Sequence, residues 1–237
     1  MAISLTYWPG RGLMEVPRLM LAIAGKFPGA GYEDGRFSEP PAGLEHNLGR
    51  MPVASIREET FGQSGAINFV IASECGLMGS STYEAGHILS VSEHIKEMAQ
   101  GWSKLVPWGT EPTEENLELW FNGGAKDVTG TADGQGASTR YLTWWAGRIE
   151  AILGTDGFAV GGKLSLADVL LYYLFAETLA DDQAAPDFPN FRKEPFGSKA
   201  RTDEFLTRHP RIKASCDAVA NHANVKKWLS ERGVQGF

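Results

Sequence analysis

The sequence predicts a chain in two units of unequal size: a small α/β sandwich over residues 1–78, followed by an all-helical half over 83–237. Three observations carry that expectation. Residues 3–7 alternate apolar and polar with the period of a half-buried strand. Glycine- and proline-rich turns then separate short mixed elements, and beyond about residue 80 the apolar spacing is helical only. At 237 residues, with 43% hydrophobic and 22% charged positions, the chain has the length for one large domain or two small ones. That composition excludes a collagen-like or wholly disordered protein.

Taken in order, Ile3, Leu5 and Tyr7 face one way and Ser4 and Thr6 the other, and Pro9-Gly10-Arg11-Gly12 ends that strand in a turn. Leu13, Val16, Leu19, Met20 and Ile23 recur at helical spacing, with Gly25 placed to stop the helix. An edge-like strand is expected near 32–37, then a hairpin from Val53–Ile56 and Thr60-Phe61 across a charged turn. A helix follows from Ser64, its N-cap, to a stop at Gly76, with Ala66, Ile67, Val70 and Ile71 on one face. The boundary between the units falls near 77–82. Downstream, helices are expected at 83–99, 116–121, 139–153 and 166–180, and a last pair over 209–232. The fourth of these has a full start signal: Ser165 as N-cap, Asp168 three residues on, and Leu164 with Val169 as a hydrophobic staple. A Gly-rich stretch at 123–136 reads as a loop, with a lid as the alternative, and a Pro- and Phe-rich stretch at 184–198 as an ordered loop or extension. Five of the seven tryptophans (Trp102, Trp108, Trp120, Trp144, Trp145) fall in the helical half and read first as core.

The formal charge of −7 argues against a nucleic-acid partner. No apolar run reaches the ~20 residues of a membrane span and no signal-peptide pattern opens the sequence, so a cytoplasmic protein without a membrane partner is expected. Cys75 and Cys216 have neither zinc-ligand nor CxxC spacing and read first as reduced thiols, with a single disulfide as the weaker alternative, and no metal site is expected.

Three places could carry chemistry. Tyr7 lies at the carboxyl end of a strand, before a glycine turn into a helix, where open α/β sheets bind ligands. A phenol there can donate a hydrogen bond to an anion such as a thiolate; equally, it can be a core aromatic. Pro52 in Gly49-Arg50-Met51-Pro52 opens a strand, and a cis bond before it would turn the Met51 backbone outward, although an ordinary trans proline also fits. Gln63 and Ser64 precede unpaired helix N–H groups that could hold a carboxylate, or Ser64 could simply cap the helix.

Together these segments resemble a known family. The run Leu5-Thr6-Tyr7-Trp8-Pro9-Gly10-Arg11-Gly12-Leu13-Met14-Glu15-Val16-Pro17-Arg18 is similar to the first strand and helix of tyrosine-type glutathione S-transferases, most closely the sigma class. Gly49-Arg50-Met51-Pro52 resembles that family's cis-proline segment, Gln63-Ser64-Gly65-Ala66-Ile67 its glutamine-serine motif, and Ser165-Leu166-Ala167-Asp168 its helical-domain capping box. His209-Pro210-Arg211-Ile212 and Val225-Lys226-Lys227-Trp228 extend the similarity into the last helices.

The resemblance implies a thioredoxin-like N-terminal domain (1–78) that binds glutathione as co-substrate, an α-helical C-terminal domain (83–237) that forms the electrophile pocket, and a homodimer. It implies that Tyr7 stabilises the glutathione thiolate, that Met51 pairs through its backbone with the cysteinyl part, and that Gln63 and Ser64 hold the γ-glutamyl end. Gly49, Arg50 and Pro52 complete the glutathione site, Arg50 near the glycyl carboxylate, and Trp8, Leu13 and Trp102 wall the electrophile pocket. Some positions depart from the family pattern. Leu13 stands where sigma-like relatives often carry an arginine against the tyrosine. Glu39 and Gly43 stand near the usual tryptophan and lysine of the glycine end, where His46 or Asn47 could substitute. Leu89, with Glu93 nearby, stands where an acid usually crosses the dimer. The activity implied is conjugation of the glutathione thiolate to small hydrophobic electrophiles in detoxification. The alternatives are a non-catalytic carrier of apolar ligands and a glutathione-dependent isomerase or peroxidase acting on lipid peroxides.

Overall fold

The structure is a computed structural model that describes residues 3–123 and 140–236. Most of the Gly-rich stretch expected at 123–136 therefore lies outside the described residues. Four strands form one mixed sheet in the order β2-β1-β3-β4: β1 (Ile3–Tyr7), β2 (Glu33–Arg36), β3 (Val53–Ile56) and β4 (Glu59–Gly62). β1 runs parallel to β2 and antiparallel to β3, and β3 and β4 form the expected hairpin. The alternation in β1 buries Ile3, Leu5 and Tyr7, as the period-two pattern requires. The polar β2 takes the sheet edge.

Helix α1 (Glu15–Ile23) follows a short 3-10 turn over Gly12–Met14. Pro17 sits in its first turn, where no intrahelical N–H partner is lost, so the helix is not broken. Gly25 has φ +73°, and the Lys26 N–H reaches back 2.8 Å to the Leu21 carbonyl, which ends the helix. Helix α2 (Ser64–Glu74) stops before Gly76, at φ +71°. Its buried side chains are Ile67, Ile71 and Ala72; Ala66, expected on the inner face, is exposed.

The remaining elements are helical: α3 (Thr82–Leu105), α4 (Glu114–Asn122), α5 (Leu142–Ile152), α6 (Leu166–Phe175), α7 (Lys199–Thr207), α8 (Pro210–Ala220) and α9 (Ala223–Glu231). α3 outruns its expected end at 99 because Val91, Ile95 and Met98 continue a buried stripe that half-buried Trp102 extends. α6 ends five positions before 180, where Ala176 leaves helical geometry at φ −132° and Glu177 turns into a buried ion network. α7, which the sequence pattern does not announce, buries only Thr202, Phe205 and Leu206 and is capped by the Ser198 hydroxyl, which accepts the Arg201 N–H. Ser165 and Asp168 form the expected capping box of α6, and the 184–198 stretch is ordered around short 3-10 turns. Sheet and helices share one core: α1 packs against α2, α6 and α9, and α6 against α3 and α8.

Candidate active site

Strand register gathers the three candidate segments at one end of the sheet. Thr6 pairs with Val53, and Val53 with Gly62, so Tyr7, Met51-Pro52 and Gln63 all leave the sheet at the same edge. The Met51–Pro52 peptide is cis. Behind it, buried Asn47 donates its amide N–H to the Pro52 carbonyl at 3.0 Å. The neighbouring His46 carbonyl comes so close to Gly62 that a Cβ would lie 2.2 Å from it, so only glycine fits there. Arg50 is exposed and donates to the Asn47 carbonyl at 3.4 Å.

Tyr7 is buried, and its hydroxyl oxygen accepts the Leu13 N–H at 3.1 Å. The turn can approach this closely because residue 12 is glycine: its φ is +40°, and a Cβ there would stand 2.5 Å from the Tyr7 hydroxyl. Burial raises the Tyr7 pKa above its ordinary 10, against smaller lowering effects from the Leu13 N–H and the charge of Arg18. The phenol is therefore protonated throughout the neutral range. Leu13 supplies its backbone to the tyrosine while its side chain is largely exposed.

Ser64 is not the N-cap of α2. Gln63 takes the cap position with φ +65°, which makes Ser64 the first helical residue, and no side chain caps the helix. The first N–H groups of α2 consequently point outward without an internal acceptor, a ready site for a carboxylate.

The Pro9–Gly12 turn is fixed from the helical side by buried charge. Arg11 pairs with Glu177 and donates to the Arg192 carbonyl at 2.5 Å. Glu177 also accepts from Arg232 at 2.5 Å, which in turn donates to Glu15 at 3.0 Å, and Glu15 accepts the Trp228 indole N–H at 2.9 Å. Arg18, fully buried, binds Asp34 and donates to the Gly10 carbonyl at 2.6 Å. Tyr173 of α6 donates its hydroxyl to the Gly12 carbonyl at 2.9 Å.

Two cavities open beside this turn. One, of about 260 Å³, lies between Arg11, Gly12 and Tyr173 on one side and Trp102, Phe188 and Arg192 on the other. The second, about 170 Å³ and mainly apolar, is bounded by Leu13 and Val16 of the first unit and by Leu89 and Leu170 of the second, with Ser64 at its edge. Of the three residues expected to wall the electrophile pocket, Trp102 lines the first cavity, Leu13 the second, and half-buried Trp8 neither. The tryptophan group is not one core. Trp120 and Trp145 are buried, Trp102 packs 5.3 Å from Trp120 while facing the cavity, and Trp108 is 74% exposed. Tyr173, Phe188 and Arg192 are cavity residues that the sequence reading passed over. The Pro and Phe content of 184–198 signals an ordered segment there, without indicating that it lines a cavity.

Both cysteines are free, and burial raises their thiols, Cys75 to about 11 and Cys216 further. Neither belongs to the strand-end cluster, so sulfur chemistry at this site needs a thiol brought in by the ligand. Among the described residues no group of His, Cys, Asp and Glu is arranged to hold a metal ion.

With this geometry in view, the comparisons with known proteins are specific. Residues 129–232 match the family described as "Glutathione S-transferase, C-terminal domain". The curated "Probable glutathione S-transferase 7" of Caenorhabditis elegans is 25% identical over 237 residues, covering 99% of this chain and 98% of that protein. Among solved structures, a Nu-class glutathione S-transferase from Haemonchus contortus superposes with a TM-score of 0.69 at 21% identity, covering 100% of this chain and 99% of that one. A monomeric glutathione S-transferase from the hookworm Necator americanus gives 0.68 at 22% identity, with 100% of both chains covered. These three proteins are from nematodes, one of them is described as Nu-class, and none of their names specifies the sigma class or a tyrosine type. The fold is that of the glutathione transferases, a thioredoxin-like mixed sheet followed by an all-helical half, and the match to the C-terminal-domain family falls in that second half.

Proposed function

We propose that this protein is a glutathione transferase of the tyrosine type, which adds the glutathione thiolate to small hydrophobic electrophiles. The observation that supports the reading is the Tyr7 hydroxyl, which accepts the Leu13 N–H at 3.1 Å, on a strand that ends at the same end of the sheet as the Met51 and Gln63 segments. An acceptor position of the phenol is engaged by that N–H, and the O–H is donated to the glutathione sulfur. A hydrogen bond to the charged form lowers a thiol pKa from its free value of roughly 8.5, so more thiolate exists at neutral pH. The uncapped N-terminus of α2 suits the γ-glutamyl carboxylate, with Gln63 and Ser64 beside it. Met51 offers its backbone to the cysteinyl part from the Gly49–Pro52 segment, and Arg50, exposed at the same edge, reaches toward the glycyl carboxylate. The thiolate attacks the electrophile held by the helical half near Trp8, Leu13 and Trp102; the S–C bond forms as the leaving group departs with its electron pair. The chain contributes thiolate stabilisation and proximity, with no covalent enzyme intermediate.

Residues 1–78 act as the glutathione-binding domain and 83–237 as the domain that shapes the electrophile pocket. Dimerisation through α2 and α3 fits the exposure there of Phe69 and Leu89, apolar side chains of the kind that interfaces bury. A cytoplasmic location accords with the reduced thiols, and no described helix is long and apolar enough to cross a membrane. The direct test is Tyr7→Phe assayed with glutathione and a generic aromatic electrophile. Retention of the fold with at least about a tenfold loss of turnover, roughly 1.4 kcal/mol of barrier, is expected. Unchanged turnover overturns the role of Tyr7. Retention on immobilised glutathione with turnover separates the transferase from a carrier of apolar ligands, and activity toward a lipid hydroperoxide tests the isomerase or peroxidase variant.

A further inference from the structure

The larger cavity beside the Tyr7 turn holds one guanidinium that makes no ion pair among the described residues. Its wall includes the 184–198 stretch, whose Phe188 and Phe191 face it together with Trp102 and Trp108. Three charged side chains line it, and two are engaged elsewhere. Arg11 pairs with Glu177, and Glu194 accepts the Lys199 N–H at 2.7 Å, at the start of α7. The third is Arg192. Its guanidinium carbon lies 3.5 Å from the centre of the Trp108 ring, and among the described residues no carboxylate lies within ion-pairing distance of it. Its position is set by its own backbone, because the Arg192 carbonyl accepts from Arg11 and the Arg192 N–H donates to Pro189 at 3.0 Å. A partly buried guanidinium lying over an indole face keeps its N–H fork for a second partner, and that fork can receive a carboxylate in bidentate fashion.

We propose that Arg192 selects electrophiles that join an aromatic or otherwise flat apolar body to a carboxylate, the body lying among Trp102, Phe188 and Phe191 and the carboxylate pairing with the Arg192 guanidinium. Gly12 and Tyr173, which line the same cavity, bring the reacting carbon toward the Tyr7 turn. The inference rests on the transferase reading for its chemistry and adds the substrate class. Partial burial, which lowers the Arg192 pKa from its ordinary value, marks the loss of water that makes an ion pair at this position stronger than one on the open surface.

The test compares wild type with Arg192→Gln and Arg192→Lys, using glutathione and either 4-chloro-3-nitrobenzoate or its uncharged methyl ester. In both reactions the thiolate displaces chloride, so only the anionic group differs. Arg192→Gln is expected to lower kcat/KM for the acid about tenfold and for the ester by less than about twofold, with Arg192→Lys recovering about threefold for the acid. A second measurement needs no turnover: 3-nitrobenzoate and its methyl ester are titrated against tryptophan fluorescence, and the same selective loss of affinity for the acid is expected. Equal changes for acid and ester in both measurements, or no change in either, overturn the anion-selecting role. Selective binding of the acid by a wild-type protein that conjugates neither electrophile supports that role and overturns the transferase reading instead.

Discussion

At the scale of single residues, the site depends on how closely backbone can approach one phenol. Gly12 is essential for a geometric reason: at φ +40° and with Tyr7 filling the space of a Cβ, alanine strains the turn and pushes the hydroxyl aside. Gly12→Ala is expected to cost about 1–2 kcal/mol of stability and to lower turnover roughly tenfold. Because it acts through Tyr7, its effect combined with Tyr7→Phe falls well short of the product of the two, which a double-mutant cycle on kcat/KM measures. The pH dependence follows from the same phenol. Tyr7 stays protonated well above neutrality because burial raises its pKa, so under the proposed transferase chemistry the acid limb of the profile belongs to the glutathione thiol. Removing a donor to the thiolate disfavours the charged form and raises its pKa. In Tyr7→Phe the midpoint of kcat/KM against pH therefore moves up by about one unit, toward the free-thiol range. A midpoint that does not move assigns thiolate stabilisation elsewhere.

At the scale of elements, α6 is the helix most completely specified by its own sequence. Its Asp168 carboxylate accepts from the Ser165 N–H at 2.9 Å, the Ser165 hydroxyl at 2.6 Å, the Ala159 N–H at 2.7 Å and, from α8, the Ser215 hydroxyl at 2.6 Å. Asp168→Asn turns one acceptor oxygen into a donor amide facing donors, and a loss of about 3 kcal/mol is expected, read as a fall in Tm of roughly 6–12 °C. The capping box was legible because its three-residue spacing is local; the bond from Ser215 was not, because it joins residues 47 positions apart. The same division holds elsewhere. The alternation in β1, the stop at Gly25 and the β3–β4 hairpin follow from neighbouring residues and are found as expected. Ser64 has the residue type of a cap, yet the left-handed backbone of Gln63 moves the cap one place earlier, and nothing in residue type foretells a positive φ at glutamine. α7 escaped notice because its buried face is only three residues wide and includes a threonine. Tyr7, Met51 and Gln63 were found as separate motifs, but the sheet register that brings them to one edge is a property of pairing.

At the scale of the whole molecule, charges far apart in sequence join the two halves. Arg11 of the turn and Glu177 beyond α6 are separated by 166 positions, and Glu15 and Arg232 by 217. All four are buried, so the cost of removing them from water is offset only while the alternation of sign is complete. Trp228 and the chain after α9 take part as well: the Gly236 N–H donates to the Pro9 carbonyl at 2.7 Å, which holds the last described residues against the Tyr7 turn. Glu177→Gln removes the negative centre between Arg11 and Arg232 and leaves two buried guanidinium groups partly uncompensated, whereas Arg11→Met with Glu177→Gln removes one of them. The single Glu177→Gln variant is therefore expected to lose about 3–5 kcal/mol, and the double variant less than the sum of its two singles by about 1 kcal/mol or more. Since Arg11 also anchors the turn that carries Gly12 and Leu13, both variants lower kcat while Tyr7 itself is intact. Thermal unfolding of the four proteins measures the coupling, and kcat at a temperature where all remain folded measures the effect on the turn. Additive stabilities within about 0.5 kcal/mol show that the buried charges act independently, and unchanged kcat shows that the turn holds its shape without them.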